Sequence, residues 1–229
     1  MNRSLPNLLA ALVVIPVALV LFGARLTSGA SRPLDEPVVA PSLDVPGTPG
    51  AAEDTADFAG GCFWGVEAVF EHVKGVKSAT SGYAGGDVAN PSYEQVSPGD
   101  TGHAESVQVV YDPSQVSYGK LLQIFFSVAH DPTQLNRQGP DHGTQYRSAI
   151  FFRNAQQQQV AESYIKQLTA AKTFPRQIVT QVAKLRAFYP AEDYHQDYLV
   201  HHPNQLYIVI NDKPKVEALR KQFPDVYRN

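Results

Sequence analysis

One cysteine and one tryptophan occur in 229 residues, and both stand in Gly60-Gly61-Cys62-Phe63-Trp64-Gly65-Val66-Glu67. A thiol can act as nucleophile, and its reactivity depends on what favours the thiolate. After it, Val66, Val69, Phe70 and Val73 recur at helical spacing, which predicts an amphipathic helix to about Lys74. Before it, Ala56 to Ala59 reads as a strand end, and the glycines mark a sharp strand-to-helix turn. Cys62 is therefore expected at a helix N-terminus, where free amides and the helix dipole would favour a thiolate. The competing use of a lone cysteine is as a small buried hydrophobe. Two aromatic rings directly after the sulfur suit a pocket for a small apolar group better than a core.

A second chemical group follows from alternation. His103 to Tyr111 reads as a strand with Glu105, Val107, Val109 and Tyr111 on one face. A carboxyl drawn into an apolar site keeps its proton, as a general acid near neutral pH must. A strand-end glutamate turned to solvent fits the same pattern. Among the eleven tyrosines, Tyr93 and Tyr146 lie beside loops rather than on apolar stripes. Asp141 fits a loop turn as well as a ligand contact. Seven histidines give no H-x-x-x-H spacing, and a sole cysteine precludes a thiolate cage, so no metal is expected. His195 stays open between a structural and a supporting role.

Taken together, G-C-F-W-G-V-E, G-Y-A-G-G at 82–86, T-G-H-A-E at 101–105, D-H-G-T-Q-Y-R-S-A-I at 141–150 and F-Y-P-A-E-D-Y-H-Q at 188–196 resemble the A-type peptide methionine sulfoxide reductases. The resemblance runs from about Asp57 to Phe223. It implies a thiol-dependent reduction of methionine S-sulfoxide, free or peptide-bound, in which Cys62 attacks and is left as a sulfenic acid. By the same resemblance Glu105 is the acid, and Tyr93 and Tyr146 hydrogen-bond the sulfoxide oxygen or the incoming water. Phe63 and Trp64 form the methyl pocket, and Asp141 and Tyr207 contact substrate. No bound cofactor is implied; the partners would be oxidised proteins and an external thiol, small or thioredoxin-like. The sequence departs from many members in lacking further cysteines: Ile208 follows Tyr207, Ser97 stands in the loop after Tyr93, and no cysteine-rich tail follows. An intramolecular disulfide relay is thus not expected. Two other functions compete, a thiol peroxidase or redox sensor using Cys62 and a non-catalytic module binding methionine-like side chains.

The surrounding chain must position these groups. Residues 1–30 read as a signal peptide or membrane anchor, with Arg3 ahead of the apolar run Leu8 to Gly23 and small residues at Ser28-Gly29-Ala30. Either reading places the domain outside the cytoplasm, periplasmic or held at the inner membrane. Residues 31–55, rich in Pro, Ala, Gly, Asp and Ser, read as a disordered tether. Residues 56–229 are the reductase domain, expected as a monomer. A formal net charge of -3 gives no basic surface for nucleic acid. Within the domain, strands are expected at Val76–Tyr83, 103–111, Thr144–Phe152 and Ile178–Val182, with Leu206–Ile210 extended. Helices are expected at 117–130, from Asn154 onward, at Ala191–His201 and at Pro214–Phe223. This mix predicts an α+β fold, a two-layer sandwich of helices on a mostly antiparallel sheet around a βαβ-type core.

Overall fold

The computed structural model describes Met1, residues 36–45 and residues 52–229. In chain order, β1 is Asp54–Gly60, α1 Phe63–Glu71, β2 Val76–Ala84, α2 Tyr93–Val96 and β3 Ala104–Tyr111. Then come α3 Tyr118–Ile124, drawn out by a π turn over Phe125–Ala129, and the short pair β4 Arg137–Gln138 and β5 Asp141–His142. The chain continues through β6 Ser148–Phe152, α4 Ala155–Ala170, β7 Gln181–Lys184, β8 Phe188–Pro190, α5 Tyr198–His201 and α6 Lys213–Gln222.

Six strands form one sheet in the order β7-β6-β1-β3-β2-β8. Every pairing is antiparallel except β6 with β7. Strands β1 and β2 flank β3, both antiparallel to it, so β1-α1-β2 is a βαβ unit with a strand inserted at its centre. This is the expected α+β arrangement. One sheet face, through Phe58, Val107, Val109 and Ile150, shares a core with Val69, Leu121, Val160 and Leu219 of α1, α3, α4 and α6. The other face carries only the small cluster of Ala59, Ala84, Ala104, Ala149 and Phe151. Alternation in β3 explains the division: Val107, Val109 and Tyr111 join the helix-side core, while Ala104 lies in the cluster on the other face.

Several elements differ from their expectation. Thr144–Tyr146 is a 3-10 turn, and the strand begins only at Ser148. Ala191–His201 is broken into a 3-10 turn at Asp193–His195 and α5, with Asp197 between them at φ 53. There the Gln196 side chain acts like a strand edge: its Oε1 accepts from Ser81 N at 2.9 Å and its Nε2 donates to Ser81 O at 3.0 Å. The run Leu206–Ile210, β-branched from Ile208 on, is not extended; Ile208–Asp212 is a π turn leading into α6. Burial decides this over propensity, because Ile208 and Asp212 both point inward and both are fully buried.

The tether expected over 31–55 is corrected at 36–45, which lies against the domain. Val38 is 4% exposed, its N–H donates to Ser127 Oγ at 3.1 Å, and its carbonyl accepts from Gln123 Nε2 at 2.8 Å. Asp44 accepts from Ser117 Oγ at 2.5 Å and Gly119 N at 2.7 Å at the start of α3. Side chains of the domain thus satisfy a backbone that has no secondary structure of its own. The apolar lead read as signal or anchor lies outside the described residues, Met1 apart. Among the described residues no helix is long and apolar enough to cross a membrane.

Candidate active site

Strand β1 ends at Gly60, and α1 starts at Phe63 with Cys62 as its N-cap. The turn depends on Gly61, at φ 91, where a Cβ would come within 2.4 Å of the Gln138 side chain. No L side chain fits that position without displacing Gln138. Cys62 is 8% exposed. Beside it, Phe63 N–H donates to Glu105 Oε2 at 3.0 Å, so the first amide of α1 holds the carboxyl of the central strand. Glu105 is 3% exposed, turned inward as alternation required.

Electrostatics departs from the expectation at the sulfur. Burial pushes the Cys62 thiol well up, the charges of Glu105 and Asp212 push it further, and the Trp64 amide pulls back. The helix N-terminus is present, but burial among carboxylates outweighs it, and the resting sulfur is a thiol. Glu105 is raised to about 8, chiefly by burial, against the hydrogen bond from Phe63 and with help from Asp141 and Asp212. Thiol and carboxyl are therefore both protonated at neutral pH, with a shared cost for ionising either.

The remaining sequence candidates converge here. Tyr93 and Tyr146 are half-buried, and both phenols are raised by burial first and then by the charge of Glu105. Tyr207 donates its hydroxyl hydrogen to Asp141 Oδ2 in a short hydrogen bond. Asp141 is raised by burial, with the Tyr207 bond pulling it down. The Phe63 ring is 1% exposed and Trp64 is partly buried beside it, their ring centres 6.5 Å apart. Tyr198 stacks on Trp64 at 3.7 Å, and Tyr207 meets it edge-on at 5.9 Å. Trp64 Nε1–H donates to His195 Nδ1 at 3.2 Å, which assigns the imidazole proton to Nε2. Burial lowers the His195 pKa, so the ring is neutral.

Sequence reasoning missed Tyr198, the role of His195, and the buried ion pair of Lys215 Nζ with Asp212 Oδ1 at 3.2 Å. Tyr198 and His195 did carry a signal, lying in or beside the F-Y-P-A-E-D-Y-H-Q run. The Asp212–Lys215 pair had only its three-residue spacing, which is ordinary on a helix surface. It sits under the first turn of α1, where a Cβ on Gly65 would meet Asp212 Oδ1 at 2.1 Å. Among the described residues no group of three or more His, Cys, Asp or Glu side chains is arranged to hold a metal ion.

A family profile described as peptide methionine sulfoxide reductase matches residues 54–227. This chain belongs to that family. Peptide methionine sulfoxide reductase MsrA 2 of Mesorhizobium japonicum is 58% identical over 185 residues, 81% of this chain and 94% of the relative. Its namesake in Synechocystis sp. is 51% identical over 203 residues, covering 89% and 94%. Among solved structures, Mxr1 of Saccharomyces cerevisiae in reduced form superposes with TM-score 0.62 at 34% identity, covering 68% of this chain and 89% of that one. Methionine sulfoxide reductase A of Corynebacterium diphtheriae gives TM-score 0.59 at 38% identity, covering 78% and 88%. The chain is thus an oxidoreductase of the A-type family, which uses no bound cofactor, and the α+β fold is the family's.

Proposed function

We propose that this chain reduces the S epimer of methionine sulfoxide, free or within a peptide, through a sulfenic acid on Cys62, and repairs oxidised proteins. One observation carries the reading: the only cysteine caps α1 directly beside Glu105, a buried carboxyl raised to about 8 and held by the Phe63 amide at 3.0 Å. Glu105 donates its proton to the sulfoxide oxygen, which makes the substrate sulfur electrophilic, and Cys62 attacks that sulfur. The substrate's sulfur–oxygen bond then breaks as the oxygen passes to Cys62 as S–OH, the Cys62 bond to the substrate sulfur opens to release methionine as the thioether, and the thiol proton replaces the one Glu105 gave. Two electrons pass from Cys62 to the substrate. Tyr93 and Tyr146 orient the oxygen, Phe63 and Trp64 enclose the methyl group, and Asp141 with Tyr207 contact the substrate.

Regeneration falls to an external thiol, because the 229-residue sequence offers Cys62 no second thiol. A small thiol or thioredoxin-like donor attacks the sulfenic sulfur, releases water and leaves a mixed disulfide, and a second thiol then frees Cys62. The thiol peroxidase alternative needs a standing thiolate, and the raised pKa of Cys62 works against it. The sequence of residues 1–30 supports export, with the domain periplasmic or anchored at the inner membrane and acting there as a monomer.

Turnover of each sulfoxide epimer with dithiothreitol, for wild type and Cys62→Ser, tests this function. Consumption of the S epimer alone by wild type, and of neither by the variant, is expected. Activity of Cys62→Ser, or peroxide consumption in place of sulfoxide reduction, overturns it.

A further inference from the structure

The segment from residue 194 to 210 does two things at once. Inward, it supplies His195, Tyr198 and Tyr207 to the wall around Trp64. Outward, it exposes apolar side chains: Tyr194 at 56%, Val200 at 59%, Leu206 at 71%, Val209 at 43% and Ile210 at 51%. The other large apolar side chains exposed among the described residues are scattered, at Met1, Leu135 and the 36–45 segment. Large side chains left in water singly are ordinary, whereas five on the one segment that walls Trp64 call for a partner.

We propose that this collar is the docking surface for the peptide on either side of the oxidised methionine, so that the protein selects methionine sulfoxide set among apolar residues. The proposal rests on the sulfoxide reductase reading of the site. Continuity with the site identifies the occupant. When a substrate side chain reaches Cys62 past Trp64, its backbone must cross whatever borders Trp64, and each extended residue advances about 3.5 Å. Val200 lies two positions beyond Tyr198, which stacks on Trp64, and Val209 and Ile210 follow Tyr207, which meets its edge. Neighbours one and two residues from the sulfoxide therefore fall on the collar.

The collar is held out rigidly. Ile208 and Asp212 anchor their turn in the interior, fully buried, which forces Val209 and Ile210 outward. Its charge is equally selective. The only Asp, Glu, Lys or Arg between 194 and 210 is Asp197, and that carboxylate is hydrogen-bonded to Glu71. Among the segment's own Asp, Glu, Lys and Arg side chains a charged flank would find only that paired carboxylate and would lose water on docking, while an apolar flank gains by the burial.

The test compares two blocked pentapeptides with central methionine S-sulfoxide, one flanked by Leu and Val and one by Gly and Asp, with free methionine S-sulfoxide as reference. Wild type should show a kcat/KM about tenfold or more higher for the apolar peptide. The double variant Val200→Lys with Ile210→Lys, one change following Tyr198 and one following Tyr207, should lose that preference mainly through KM. Its rate on free sulfoxide should stay at the wild-type level, which also reports that it folds. Absence of peptide preference in wild type, or an equal loss on free and peptide substrates, overturns the proposal. So does a variant whose KM rises for a thioredoxin-like donor and not for the peptide, since the collar would then serve the reductant. Failure of wild type on free sulfoxide would instead strike the reductase reading itself, so the two failures are told apart.

Discussion

Two buried glutamates, one at the end of α1 and one within it, differ in what faces them. Glu105 on β3 meets the N-terminal end of α1, accepts from the Phe63 amide at 3.0 Å, and is raised to about 8. Glu67, within α1 and 1% exposed, accepts from the Ser81 amide at 3.2 Å and is raised to about 7. In both, burial is the first cause and a backbone N–H the main restraint. Their surroundings then diverge. Glu105 shares its field with Cys62, Tyr93, Tyr146 and Asp141. Glu67 meets Ser81 and Asp197, next to Glu71, which is raised to about 9 by burial and by its hydrogen bond to Asp197. A raised carboxyl is thus a consequence of burial. It becomes an acid catalyst only where a nucleophile and a substrate share its cavity.

The sharpest way to break this contrast is Glu105→Gln. First-turnover reduction should slow by roughly a hundredfold or more, the usual size of a lost general acid. Wild-type activity should fall as the pH rises through about 8, where Glu105 loses its proton, and that limb should vanish in the variant. A limb that persists unchanged would move the acid to another group.

Glu67→Gln should instead leave turnover within a few-fold of wild type and act on stability. Below the ordinary glutamate value of 4.5 both folded and unfolded chains hold this proton; between 4.5 and about 7 only the folded chain does. Stability should therefore fall as pH rises through that window, by on the order of 3 kcal/mol from this group, and in the variant the fall should be shallower by that share, Glu105 and Glu71 still contributing theirs. Denaturant unfolding across pH 4 to 8 measures it. A large loss of turnover at constant stability would erase the distinction between the two carboxyls.

The difference between these glutamates was half legible in the sequence. Alternation along β3 turned Glu105 inward, and the motif around Cys62 placed the sulfur at a strand-to-helix turn; both depend on local periodicity, which sequence displays. The sign of the Cys62 pKa was not legible, because it is set first by how deeply the fold buries the sulfur, then by Glu105 and by Asp212, which comes from a π turn 150 residues away. For the same reason Ile208-Val209-Ile210 reads as a strand until the core claims Ile208. The 36–45 segment was hidden differently: its hold on the domain rests on single residues, Val38 and Asp44, and a single anchor leaves no period. Strand β8 is three residues long, pairs with β2 and packs Phe188 against the alanine cluster, which leaves little for a sequence period to show.

The claim that Cys62 and Glu105 together carry one complete half-reaction is tested most directly by a single turnover without reductant. Reduced protein mixed with one equivalent of methionine S-sulfoxide should release one equivalent of methionine. Cys62 should then be one oxygen heavier by mass spectrometry and reactive toward a sulfenic-specific dione probe, since no second thiol on the chain can remove the oxygen. Methionine formed while Cys62 still titrates fully as a thiol, or no methionine at all until reductant is added, would contradict the account.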